Sequence, residues 1–223
     1  MDRRALDYLH AMGIQPWAER RVAVEVLTPL VPEEPITDGG PGWEELEAQV
    51  RVCTRCDLYR TRQNPVFGVG NRSAELMIIG EAPGAEEDRR GEPFVGRAGQ
   101  LLNEMLVAIG LAREAVYIAN VLKSRPLQNR DPRPDEVAAC EPYLRRQLAL
   151  VRPKLILAVG RIASQNLLKT DTRIGTLRGR VHDYAGTPLV VTYHPAYLLR
   201  TPLDKRKAWD DLRLVVRLLS GVA

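Results

Sequence analysis

Leu76-Met77-Ile78-Ile79-Gly80-Glu81-Ala82-Pro83-Gly84 sets four apolar residues in a row against a glycine, then turns at once into carboxylate, proline and glycine. An uninterrupted apolar run of this length, closed by turn residues, reads as a strand buried on both faces, as in a parallel sheet covered by helices. Working outward, Val116-Tyr117-Ile118-Ala119 ends in Asn120, Leu155-Ile156-Leu157-Ala158-Val159 in Gly160, and Leu189-Val190-Val191-Thr192-Tyr193 in His194. Helical periodicity fills the intervals near residues 98–109, 135–151 and 162–168, with a last helix near 204–219. The alternation predicts βαβ units: an α/β fold whose mostly parallel sheet is covered on both faces. In such sheets ligands bind beyond the carboxyl ends of the strands. Gly80, Asn120 and His194 all stand at such ends, so their motifs are expected to form one site.

The 223 residues make one domain with a tail, since a single core stops growing near roughly 250–300 residues. With 45% apolar and 27% charged side chains the chain can bury a core and is not disordered as a whole. No stretch approaches the roughly 20 apolar residues of a membrane helix, and Met1-Asp2-Arg3-Arg4 opens no signal-type run. A soluble, cytoplasmic protein is expected. Residues 2–26 read as a short amphipathic helix, and residues 28–42, with four prolines and three glycines, as a flexible linker. The domain boundary is therefore put at Trp43. Residues 1–42 hold four Arg against seven acids, leaving residues 43–223 with 28 basic against 21 acidic side chains. The domain is the part suited to a polyanion.

Glycines and a proline directly after a buried strand let backbone N–H groups approach a planar or anionic ligand, although an ordinary strand-to-helix connection has the same composition. Phe94, one of only two phenylalanines, sits in the loop Pro93-Phe94-Val95-Gly96, where its ring could stack on a base. Glu81, Glu86, Glu87 and Asp88 could orient a water or stabilise a cation; for Glu86 and Glu87 a solvated acidic turn stays open. Asn120 carries an amide that donates and accepts, matching a pyrimidine edge, yet an Asn after a strand is commonly a turn residue. His194, one of three histidines, is the one at a strand's carboxyl end. Cys53, Cys56 and Cys140 cannot all pair, and a close C-x-x-C in a cytosolic chain more often marks metal or redox chemistry than a disulfide.

Taken together, Gly80-Glu81-Ala82-Pro83-Gly84 with Glu87-Asp88, the Pro93-Phe94-Val95-Gly96 loop, Asn120-Val121 and His194-Pro195-Ala196-Tyr197-Leu198-Leu199 resemble the family 4 uracil-DNA glycosylases, the iron–sulfur class, over about residues 50–218. The resemblance implies a three-layer α/β/α sandwich with a central four-stranded parallel sheet, and hydrolysis of the bond joining uracil to deoxyribose after the nucleotide is flipped out of DNA. It makes Gly80 and Ala82 part of the uracil pocket, Phe94 the stacking ring, Asn120 the reader of the polar edge and His194 the group facing uracil O2. Leu198 or Leu199 would fill the vacated stack, with Arg200 on a phosphate or groove edge, though the leucine pair also reads as the start of a core helix. Ala82 stands where better-known uracil glycosylases carry a water-positioning Asp. Glu81 is the leading candidate for that task, with Glu87 and Asp88 behind it.

The resemblance also implies a 4Fe-4S cluster on four cysteines. Cys53, Cys56 and Cys140 match three, and Ser124, in Lys123-Ser124-Arg125-Pro126, stands in the remaining slot. A cluster with Ser124 or solvent as fourth ligand, zinc on the same three thiolates, and no metal at all are the three readings. Arg97, Arg125 and further basic residues including Arg62, Arg89, Lys123, Arg130 and Arg133 bracket the pocket on several loops. They predict a polyanionic partner; the resemblance implies uracil-containing DNA, single- or double-stranded, and the protein is expected to be a monomer. The alternatives are a metal-stabilised module that binds damaged DNA or uracil without turnover, and a small-molecule nucleotide hydrolase. Residues 1–42 would suit docking on a replication or repair protein.

Overall fold

The computed structural model describes residues 40–221. The helix expected at 2–26 and most of the linker lie outside the described residues. Six strands form one sheet: β1 (Val69–Gly70), β2 (Leu76–Gly80), β3 (Tyr117–Asn120), β4 (Leu155–Val159), β5 (Val181–Tyr184) and β6 (Thr187–Thr192), in the order β1-β3-β2-β4-β6-β5. The four inner strands are the expected ones and run parallel. The expected four-stranded sheet is too small: β1 and β5 are added at the edges, each antiparallel to its neighbour. Neither edge strand carries an apolar run. β1 is two residues long, and β5 carries His182 and Asp183. The hairpin from β5 to β6 turns on Ala185 and Gly186, both with positive φ (51° and 84°), the twist a two-residue connection requires.

Eight helices lie between and around these strands among the described residues: α1 (Trp43–Arg51), α2 (Ala85–Arg90), α3 (Arg97–Val107), α4 (Pro134–Val151), α5 (Arg161–Leu167), α6 (Ile174–Leu177), α7 (Pro195–Arg200) and α8 (Lys205–Leu219). α4 begins with Pro134, whose missing N–H costs nothing in a first turn, and the Glu136 carboxylate accepts from the Arg133 N–H at 2.8 Å. Strand side chains alternate between two cores. Ile78, Ile118, Leu157 and Val190 meet Leu102, Leu106, Leu212 and Val215 on one face. Met77, Ile79, Ile156 and Val191 meet Leu144, Leu148 and Leu167 on the other. Each fully buried aliphatic side chain contributes roughly 1.5–3 kcal/mol, so the sheet ends are held rigidly. That rigidity fixes β2, β3 and β6 as a platform for the residues that follow them.

Candidate active site

A cavity of about 460 Å³ opens beyond the carboxyl ends of β2, β3 and β6, with Glu81, Phe94, Asn120 and His194 in its lining. Gly80 is the register partner of Asn120 across the β2–β3 ladder. A Cβ at Gly80 would strike Asn120 Oδ1 and come within 2.7 Å of Phe94 Cζ, so only glycine lets ring and amide share the floor. Phe94 itself is buried with a positive φ of 53°, a strained setting for a side chain of its size. Two features hold it there. Glu87 Oε1 accepts from the Val95 and Gly96 N–H groups at 2.9 and 3.0 Å, and Gly99 leaves α3 free to lie against the Phe94 carbonyl.

Asn120 is 2% exposed, and among the described residues its Oδ1 has no hydrogen-bond partner. An unsatisfied buried acceptor costs about 1–3 kcal/mol, so its persistence at a pocket floor points to a ligand donor. His194 stands at the N-cap of α7, and its Nδ1 accepts from the Ala196 N–H at 3.1 Å. Burial pushes its pKa down to about 4, with Arg200 adding to the shift and Glu87 opposing it. The imidazole is neutral at working pH, and with Nδ1 accepting, the proton rests on Nε2. Gly160 gives His194 its room, since a Cβ there would lie 2.9 Å from the His194 Cβ. The Phe94 and His194 rings stack at 5.7 Å.

Of the carboxylates, Glu81 lines the cavity, and burial raises its pKa to about 7, with Asp131 adding and Arg161 opposing. Glu87 borders the cavity, but its oxygens are taken by the backbone, Oε2 accepting from the Gly84 N–H at 3.2 Å. Asp88 is 2% exposed and turned away, accepting from the Gln63 N–H at 2.9 Å. Glu86 is exposed and paired with Arg89. The four acids thus separate into one in the crevice, two that tie loops together and one on the surface. Ala82 and Arg200 line the cavity, while Leu198 is 1% exposed in the core and Leu199 is 37% exposed. Arg97 is exposed and Arg125 half-buried. Lys123, grouped by sequence with the surface cations, is instead fully buried: its Nζ donates to the Asn120 carbonyl and to Gln147 Oε1, both at 2.7 Å. Gln147 Nε2 in turn donates to the Phe67 carbonyl and Tyr117 OH. This brace behind Asn120 escaped sequence reasoning, although a lysine directly after Val121-Leu122, at a strand end, was a usable signal.

The cysteines lie on converging segments. Cys56 packs with Cys140, Leu58 and Leu122, and burial raises both thiols, each further raised by the neighbouring cysteines. Among the described residues, no three His, Cys, Asp or Glu side chains gather closely enough to hold one ion. Ser124 Oγ receives a hydrogen bond from Arg62 Nη1 at 2.8 Å, while Arg62 Nη2 donates to the Cys53 carbonyl at 3.0 Å. The hydroxyl that stands where a fourth thiolate is expected is therefore engaged by a guanidinium. The donor set suits an iron–sulfur cluster at three corners and not at the fourth.

Sheet end, buried ring and orphaned amide together define an α/β protein with an aromatic face and an unpaired acceptor in one crevice beyond the carboxyl ends of its strands. The family model for the uracil DNA glycosylase superfamily matches residues 67–213. A type-4 uracil-DNA glycosylase of Archaeoglobus fulgidus is 44% identical over 180 residues, covering 77% of this chain and 90% of the relative. One from Thermotoga maritima is 44% identical over 159 residues, covering 70% and 83%. A type-5 uracil-DNA glycosylase of Pyrobaculum aerophilum is 33% identical over 166 residues, covering 67% and 73%. The chain belongs to the uracil DNA glycosylase superfamily, on its type-4 branch.

Proposed function

We propose that this chain is a DNA repair glycosylase: it flips uracil out of DNA, holds the base in the crevice and hydrolyses its bond to deoxyribose, leaving an abasic site. The observation that carries the reading is the unpaired Oδ1 of Asn120 on the pocket floor. Uracil brings a donor at N3, whereas cytosine brings a lone pair there and would leave the buried oxygen unsatisfied. Phe94 supplies the stacking face. His194, neutral and with Nε2–H free, donates to O2 as negative charge develops on the leaving base, a role a preorganised dipole fills without reorganisation. Glu81 positions the water. The C1′–N1 bond breaks with its electron pair leaving on uracil, the water oxygen bonds C1′, and the water proton passes to Glu81, whose raised pKa suits it to accept one near neutrality.

Glu87 acts by clamping the Phe94 loop and Asp88 by tethering the Gln63 segment, so both serve as positioning residues. Leu199, the exposed member of its pair, fills the vacated stack, with Arg97, Arg125 and Arg200 on phosphates. Cys53, Cys56 and Cys140 would hold an iron–sulfur cluster at three corners; zinc on the same thiols is not favoured, because among the described residues the three do not gather around one point. When bound, such a group supplies a cross-link between these segments. The activity resides in residues 43–223.

The test is a labelled oligonucleotide with one uracil, incubated with the protein and treated with alkali, beside a thymine control. Cleavage that requires uracil supports the reading. Tight binding without cleavage would favour a recognition module, the reading that Ser124 and Ala82 keep open.

A further inference from the structure

The crevice is lined by segments from two sides of the sheet, because β3 and β6, whose ends lead into them, are separated by β2 and β4. Pro126, Asn129 and Arg130 contribute to one, and Ala196, Tyr197 and Arg200 to the other. The second side carries the exposed Leu199. The first carries an apolar side chain that is more exposed still: Leu127, at 61%, beside Pro126. A lone exposed leucine needs no explanation by itself; the frame that holds this one is what calls for one.

The segment 126–130 is a short 3-10 turn in which Gln128 and Asn129, neither a glycine, both take left-handed backbone (φ 55° each). Strained conformations persist where the surroundings over-determine them, and here the surroundings do. The Asn129 and Arg130 N–H groups donate to the Pro126 and Leu127 carbonyls at 3.0 and 3.3 Å. Arg125 Nε donates to Asn129 Oδ1 at 2.7 Å. Arg130 grips the buried Glu136 with both terminal nitrogens of its guanidinium. The turn is anchored at both ends, and the leucine stands at its tip with its side chain in solvent.

We propose that Leu127 is a second duplex-entering side chain, pressing on the base stack from the other side of the crevice than Leu199 so that a paired uracil is extruded between the two leucines. The ligand it recognises is the apolar face of stacked bases in double-stranded DNA, and the proposal rests on the base-flipping reading above. A single strand has no partner stack to open, so Leu127 contributes on duplexes alone. Because its side chain lies in solvent, shortening it leaves the core intact.

The experiment compares Leu127→Ala and Leu127→Met with the unaltered protein in single-turnover excision of uracil from a U·A duplex and from the same strand alone. A parallel titration uses duplex in which 2-aminopurine neighbours a non-excisable 2′-fluoro-deoxyuridine, so that flipping is read without chemistry. Leu127→Ala is expected to lose about tenfold on the duplex while staying within about twofold on the single strand, with a weaker 2-aminopurine rise and recovery of both in Leu127→Met. Unchanged duplex rates and fluorescence would overturn the proposal, as would equal losses on duplex and single strand. Unaltered protein that excises uracil from single strands yet produces no fluorescence rise on duplexes would overturn the base-flipping reading itself.

Discussion

At the scale of single residues the site depends on close approach. Gly80→Ala would drive a methyl group into Asn120 Oδ1 and the Phe94 ring, and at the end of a buried strand neither can give way cheaply. Excision by that variant is expected to fall by at least about a hundredfold, with the far-ultraviolet circular dichroism unchanged. Asn120→Ala is expected to cost a similar factor while removing an unsatisfied oxygen, so its thermal midpoint should not fall with its rate. For Glu81 the raised pKa sets a pH test. The base must be ionised, so the single-turnover rate is expected to hold above about pH 7 and decline as pH falls through it. Glu81→Gln should lose that limb, and full rate at every pH in this variant would remove Glu81 from the mechanism. His194, pushed down to about 4, stays neutral throughout and adds no limb in this window.

At the scale of elements, legibility followed burial. The inner strands announced themselves because both faces are covered, which forces continuous apolar runs. The edge strands did not, because β5 breaks its apolar run with His182 and Asp183 and β1 is too short for any pattern. The site behaved likewise. Glycine, Asn and His at strand ends were legible, whereas the division of labour among Glu81, Glu86, Glu87 and Asp88 was not, since it depends on which backbone N–H groups fold back onto each carboxylate. Lys123 belongs to this scale too. Lys123→Met would strip the Asn120 carbonyl and Gln147 of their donor, with an expected loss of about 1–3 kcal/mol in urea unfolding and a slower excision rate. Ser124→Cys would release Arg62 and complete a four-thiol set, so iron and sulfide retained after chelator challenge of anaerobically prepared protein should rise above the unaltered chain.

At the scale of the whole molecule, charge is the quantity that sequence reasoning could count but not map. The excess of basic residues beyond the tail was visible, yet its members differ in availability: Lys123 is buried, Arg130 is committed to Glu136, and Arg97 and Arg200 are exposed. Phosphate contacts release counterions, so affinity for uracil-containing DNA is expected to fall linearly in log–log form with salt, and Arg200→Ala should lower the slope by about one. A flat response would argue against a polyanionic substrate. Among the described residues no helix is long and apolar enough to cross a membrane.

On the proposed function, the orphaned oxygen of Asn120 is the acceptor for the N3–H of uracil. The most direct measurement is a crystal structure of the protein with free uracil, the product of the proposed reaction. The expected result is the base in the crevice against Phe94, its N3 about 2.9 Å from Asn120 Oδ1, and O2 facing His194 Nε2. Uracil bound elsewhere, or bound in the crevice with Asn120 Oδ1 paired to a protein group instead, would contradict it.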